Sequence, residues 1–399
     1  MLDCREPSRW PAPPAEMTFS VLTAIEGCAR RWALQNAEYP ALWDRRGYPS
    51  KIVMGALVGA IAHSVVKTLT REFVAAGCSG VHDGTAIGAM RKLGGYTSLI
   101  TGAIVSEVES WRGNPRALPV VANVERTLRA KAPEIRGYVQ TLLSQVRFVK
   151  ALVARSEGGQ RRRALTQGVF SELVLRANRI QWKGKVDLLS LDQSGCEIVE
   201  FKTGQASAKH GEQVRMYAVL WWMEDELNPA SKVPTKLTVV YPTGKEDVAC
   251  PSPEDLRQLA DEMTQRSELA KKSVRMVPPP AKPAVEVCRF CGVRQLCREY
   301  WAPESSPMAA MEGDGNQLAD VQVIIEGRHG PTSWDATVEA GTRLQPKSRI
   351  LIRSGSPGLE LEREYRIRVV DAWLSQDPEA PESTRVVTLG AHSEVYRVD

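Results

Sequence analysis

Asp187, Glu200 and Lys202 have the types and the spacing for chemistry on a phosphate. They fall on two strand-like stretches, Lys185–Leu191 and Cys196–Lys202, joined by the turn-forming run Asp192-Gln193-Ser194-Gly195. A hairpin closed symmetrically over that turn sets Leu191 against Cys196 and, counting back, Asp187 against Glu200. Lys202 shares the face of Glu200 by the two-residue period, and Phe201 points the other way. Like charges placed opposite each other are destabilising. A divalent cation such as magnesium relieves that repulsion, because hard cations take carboxylate oxygens and waters. A cation so held generates hydroxide and stabilises charge building on a phosphate, with the lysine positioned to assist. The same residues also suit an ordinary solvent-facing hairpin in which the lysine pairs with the glutamate. Spacing alone leaves both readings open.

The neighbouring residues narrow the choice. In chain order they read Ser20…Cys28-Ala29-Arg30-Arg31-Trp32, Gly59-Ala60-Ile61-Ala62-His63, Gly184-Lys185-Val186-Asp187, Glu200-Phe201-Lys202 and Gln213-Val214-Arg215-Met216-Tyr217. Each piece is weak alone; all of them in order, over roughly residues 17–300, resemble the RecB-type nucleases of the restriction-endonuclease-like, or PD-(D/E)XK, superfamily. The resemblance implies an α/β fold with a mixed central sheet flanked by helices. It further implies a metal held by His63, Asp187, Glu200 and the backbone carbonyl of Phe201, with Mg2+ or Mn2+ as the ion. Lys202 would then orient the attacking water. Gln213 and Tyr217, four residues apart on one helical face, would orient a phosphate or the lysine and contact DNA. Both also suit a plain packing face. Glu172 falls where many members of the family carry a further acid.

Eight cysteines are present, and three form the cluster Cys288-x2-Cys291-x5-Cys297, which needs a fourth ligand. Cys28 fits that role. One such cysteine before the nuclease core and three after it resembles the iron–sulfur subset of RecB-type nucleases, which includes AddB-like proteins and CRISPR-associated adaptation nucleases. Four thiolates hold either a [4Fe–4S] cluster or a tetrahedral zinc, and spacing does not choose between them; the resemblance favours iron. Cys4, Cys78, Cys196 and Cys250 lack metal-site spacing and read as free thiols.

Helical patterns run over residues 18–36, 51–75, 84–157, 208–223 and 252–273, the third of these read as an inserted helical subdomain. Strand patterns cover Gly168–Arg176, Arg179–Trp182 and Lys236–Tyr241 as well as the hairpin. Residues 1–16 are expected to be disordered, 17–301 to form the nuclease domain, and 302–318 to be a linker. Residues 319–399 alternate like five or so short strands, which suggests a small all-β barrel, OB-like in form. Trp334, Tyr365 and Trp373 are its possible stacking platforms or its core. This last segment carries 10 Lys/Arg against 13 Asp/Glu, and the preceding 318 residues carry 42 against 34. The basic excess therefore lies with the proposed nuclease, as a polyanionic substrate requires. Arg161-Arg162-Arg163 is its densest run, a phosphate contact or a solvated loop.

At 399 residues, 43% hydrophobic and 25% charged, the chain reads as globular and long enough for two domains. Its start, Met1 to Met17, lacks an apolar run, and the longest apolar stretch, Ile52 to Ala62, is too short to span a bilayer. A cytoplasmic protein without membrane contact is expected. The function so read is a metal-dependent deoxyribonuclease in repair, recombination or defence against foreign DNA, acting on single strands or free ends. No phosphate-binding Gly-x-x-x-x-Gly-Lys-Ser/Thr run occurs, so any unwinding would come from a helicase partner. Two other classes stand beside it: a catalytically silent nucleic-acid-binding scaffold, and a zinc-bound DNA-binding regulator.

Overall fold

The computed structural model describes residues 1–44, 47–148, 164–302, 306–308, 318–355, 358–376 and 385–398. The elements in chain order are β1 (Leu2–Cys4), α1 (Phe19–Gly27), α2 (Ala29–Asn36), α3 (Met54–Ala75), α4 (Gly84–Lys92), α5 (Gly95–Trp111), α6 (Val121–Ala130), α7 (Ala132–Ser144), β2 (Gly168–Ala177), β3 (Trp182–Asp192), β4 (Gly195–Phe201), α8 (Ala208–Trp222), β5 (Lys236–Tyr241), β6 (Gly244–Val248), α9 (Pro253–Arg275), α10 (Val285–Cys288), α11 (Arg298–Trp301), β7 (Leu318–Gly330), β8 (Ser333–Gly341), β9 (Arg349–Ser354), β10 (Arg366–Gln376), β11 (Arg385–Leu389) and β12 (Glu394–Val398). They gather into two compact units. One holds residues 14–23 and 51–271; the other holds 1–13, 24–50 and 272–399.

The first unit is built on a five-stranded mixed sheet in the order β2-β3-β4-β5-β6. β3 and β4 form the expected hairpin with Leu191 against Cys196. Its turn is locked by the Asp192 carboxylate, whose Oδ1 accepts from Ser194 N at 2.7 Å and from Gly195 N at 3.2 Å, the local bonding that makes aspartate a turn former. Gly195 sits at φ +134°, and a Cβ there would lie 2.4 Å from the Thr235 side chain. β4 then pairs in parallel with β5, with Phe201 against Val240. The side chains of Val58, Ile61, Val65 and Phe73 on α3 join those of α5 and α7 and the sheet residues Leu188, Val199, Phe201 and Val240 in one core. The stretch expected as a helical insertion carries α4 to α7; residues 149–157 lie outside the described ones, as do Arg161, Arg162 and Arg163.

The second unit carries a closed barrel. The strands run β7-β8-β9-β11-β10, and β10 returns to pair with β7. β9 and β11 are parallel; the other barrel pairs are antiparallel. β12 adds to β10. Residues 1–16 were expected to be disordered; instead Leu2–Cys4 pairs in parallel with Tyr396–Val398 of β12. An edge strand's unpaired backbone groups order that segment. The single helix expected over 18–36 is broken at Cys28, whose extended backbone (φ −166°, ψ 108°) starts α2. Trp334 is buried in the barrel core, so it is no stacking platform. The linker expected at 302–318 does not separate the barrel from the cysteine-bearing segments, which belong to the same unit. Met308 is buried there beside Tyr300 and Trp301.

Candidate active site

The hairpin ladder runs as far as Leu188 against Val199. One residue further the strands part. There the Asp187 carboxylate takes over from the ladder, accepting from Phe201 N with Oδ2 at 2.7 Å. Its other oxygen, Oδ1, lies 3.6 Å from His63 Nδ1 on α3. The side chain of Phe201 points into the core, as the two-residue period requires. Glu200 and Lys202 therefore share the opposite face, with Lys202 Nζ donating to Glu200 Oε1 at 2.8 Å.

Helix α8 supplies the next contacts. Gln213 Nε2 donates to Glu200 Oε1 at 2.9 Å and to the Tyr217 hydroxyl at 2.7 Å, which uses both hydrogens of one amide. This close seating of the helix depends on Gly184. A Cβ at that position would stand 2.8 Å from the Tyr217 ring and 2.7 Å from Leu220 Cδ1. Gly59, in the turn of α3 before His63, plays a similar part, since a Cβ there would lie 3.0 Å from Thr203 Oγ1. Both glycines of the sequence pattern thus have a steric reason.

Glu200 is 5% exposed, and its Oε2 has no hydrogen-bond partner among the described residues. Burial and then the Asp187 charge push its carboxyl up to about 8, against the pull of Lys202 and His63. For His63 burial favours the neutral ring, but the hydrogen bond and charge of Asp187, with Glu200, outweigh it and raise the value. Burial and the Glu200 charge raise the Tyr217 hydroxyl further. A buried carboxylate oxygen with nothing to bond, beside a second carboxylate, is the environment a cation satisfies. The donor set of Asp187, Glu200 and His63 fits a hard divalent ion on that ground. Among the described residues, however, no three His, Cys, Asp or Glu side chains are gathered closely enough to hold a metal by themselves. A backbone carbonyl and water would have to complete the shell.

Glu172 is in the middle of β2 with φ +57°, a left-handed conformation unusual for a strand. Its carboxylate pairs with Lys185 and lies 3.6 Å from Lys67 Nζ. Sequence reasoning missed His210, which stands on α8 three residues before Gln213 and so on the same face. Its Nδ1 is 3.0 Å from the Tyr241 hydroxyl, and burial and then the Lys202 charge lower its pKa. The spacing His210, Gln213, Tyr217 was the available signal.

In the other unit Cys28, Cys288, Cys291 and Cys297 line one small pocket of about 20 Å3, together with Arg30, Arg31 and Arg294. Burial raises the thiol of Cys288, pushes Cys291 up to about 11 and pushes Cys297 up to about 12. Arg30 braces the segments that carry them, with both guanidinium ends on Glu299 at 2.9 and 3.0 Å and Nε on Pro279 O at 2.6 Å.

No helix among the described residues is long and apolar enough to cross a membrane. No curated protein matches the chain. Thirteen chains of solved structures do. One of them, described as "Crystal structure of SSO0001", is 12% identical and covers 50% of this chain and 84% of that chain, with a TM-score of 0.23, too low to argue from. The family comparison is firmer: the model for the PD-(D/E)XK nuclease superfamily matches residues 16–298, which include every side chain just described around Glu200. The chain belongs to the PD-(D/E)XK nuclease superfamily.

Proposed function

We propose that the protein is a metal-dependent deoxyribonuclease whose centre is Asp187, Glu200 and Lys202. The observation that carries this reading is the buried Oε2 of Glu200, without a hydrogen-bond partner among the described residues, beside the Asp187 carboxylate. Asp187, Glu200, His63 and the Phe201 carbonyl would hold Mg2+ or Mn2+. When bound, that ion supplies a more acidic water and neutralises charge on the phosphate. Gln213 and Lys202 engage the same oxygen, Oε1, and so hold the Glu200 carboxylate with Oε2 turned free. Tyr217 anchors the Gln213 amide. The Lys202 ammonium stands where it can orient the attacking water and stabilise negative charge on the phosphate oxygens during displacement. Such preorganised charge is effective because the site is largely withdrawn from water.

Four thiols line one pocket, although no three of them are gathered closely enough among the described residues to hold a metal, and on the resemblance they would hold a structural [4Fe–4S] cluster. The strand order and the parallel β9–β11 pair support an OB-like form for the barrel. A cytoplasmic setting, a helicase partner and a role in repair or defence remain part of the proposal.

The test is cleavage of labelled single- and double-stranded DNA by anaerobically purified protein, with Mn2+ or Mg2+ and with EDTA. The expected result is metal-dependent cutting that falls about 100-fold or more in Lys202→Ala. Equal cutting by variant and wild type overturns the site. A folded wild type that cuts neither substrate favours the silent scaffold.

A further inference from the structure

Residues 272–302 carry six Lys or Arg against two Glu, and one of the six, Arg294, is buried against Asp320 and Asp371. In the same stretch three apolar side chains stand in solvent: Met276 is 55% exposed, Val277 75% and Phe290 77%. Phe290 is not a frayed end. It sits between the buried Cys288 and Cys291, on a turn in which Cys291 N donates to Cys288 O at 3.0 Å, Cys288 N to Ala284 O at 2.8 Å and Arg289 N to Val285 O at 3.1 Å. The backbone therefore holds the ring outward. The Arg289 guanidinium carbon lies 5.2 Å from the ring centroid, a cation–π distance. Arg31 and Lys282 line the pocket shared with Cys288 and Cys291. Lys282 Nζ donates to the backbone carbonyl of Glu26 at 2.7 Å, a neutral acceptor.

We infer that the Arg289–Phe290 turn is a base-stacking platform for a single-stranded nucleic acid, with Arg31 and Lys282 meeting its phosphates. An outward aromatic beside basic side chains is the combination that binds single strands without reading sequence. A duplex is a poor occupant, because its base faces are already covered by their neighbours in the stack. A protein or a second copy of the chain is disfavoured by the surrounding positive charge, which suits a polyanion. The class of ligand rests on the nuclease reading, but the platform lies apart in sequence from Asp187, Glu200 and Lys202.

The test measures fluorescence anisotropy of labelled oligothymidylate and of a labelled duplex with the full-length, anaerobically purified protein, without added divalent cation. Phe290→Ala should bind the single strand about ten-fold more weakly, Phe290→Trp should match wild type, and duplex binding should stay within about two-fold. Single-strand binding by Phe290→Ala at wild-type strength overturns the platform. So does a change of that variant from dimer to monomer in sedimentation with no change in binding, which assigns the ring to self-association. Cleavage with Mn2+, measured in parallel, separates the two proposals. A wild type that cuts, with Phe290→Ala binding unimpaired, sinks the platform and leaves the nuclease; a wild type that does not cut, with Phe290→Ala binding weakly, does the reverse.

Discussion

Among the described residues the buried Glu200 carboxyl bonds one lysine and one amide, both on the same oxygen. Its folded carboxyl titrates near 8, above the usual carboxylate range. Between about pH 4.5 and 8 the folded protein thus binds a proton that the unfolded chain has released. The sign follows: without divalent cations, stability should fall as pH rises through that window and level off above it. Thermal denaturation against pH should show this fall in wild type and a flatter curve in Glu200→Gln, with Mg2+ or Mn2+ restoring wild-type stability more at high pH than at low. Identical slopes in the two proteins would count against a buried, ionising Glu200. The nearness of Asp187, Glu200 and Lys202 could be expected from turn chemistry and a period of two, although the ladder ends at Leu188 and Val199, one residue before Asp187 and Glu200 would pair. The amide shared by Glu200 and Tyr217 and the vacant Oε2 could not, because they depend on how α8 seats on the sheet.

That seating is an element-scale matter and turns on Gly184. An alanine there must push aside the end of Leu220, which is flexible, and the Tyr217 ring, which carries the Gln213 contact. Gly184→Ala should cost about 1–3 kcal/mol, as overpacking does, and lower cleavage as well. Urea denaturation with a parallel activity assay checks both; an unchanged midpoint would mean that the helix is seated more loosely. Elements with strong patterns were legible, among them α3, α8, β5 and β11. The misses have physical causes. β6 is Gly-Lys-Glu-Asp-Val, a mostly exposed charged edge strand stabilised by pairing with β5, which no apolar alternation announces. β8 sets the small Ala336 between the buried Trp334 and Val338, which weakens its apolar alternation. The break between α1 and α2 falls at Gly27-Cys28, two weak helix formers inside an otherwise helical run, where the extended backbone of Cys28 starts a new helix.

At the scale of the molecule the sequence suggested a boundary at 302–318, where composition changes, yet the cysteine-bearing segments share a compact unit with the barrel. Arg294 is one reason. It is buried, and its guanidinium meets both oxygens of Asp320 on β7, at 2.5 and 3.1 Å, and Asp371 on β10 at 2.6 Å. Tyr300 donates a further bond to Asp320 at 2.7 Å. Removing one partner of such a pair leaves an uncompensated charge inside the protein. Arg294→Met should therefore destabilise this unit by about 3–5 kcal/mol, and adding Asp320→Asn should recover part of the loss in the same thermal denaturation series. Additive losses would show that the two residues do not act as a pair. Arg294 lies between Cys291 and Cys297, within the very loop that brings three of the four thiols together. A gene fragment starting at β7 would encode every strand of the barrel and still lack the cation that meets its Asp320 and Asp371. The barrel is thus not a module that recombination could lend to another protein, unless the cysteine loop is inherited with it.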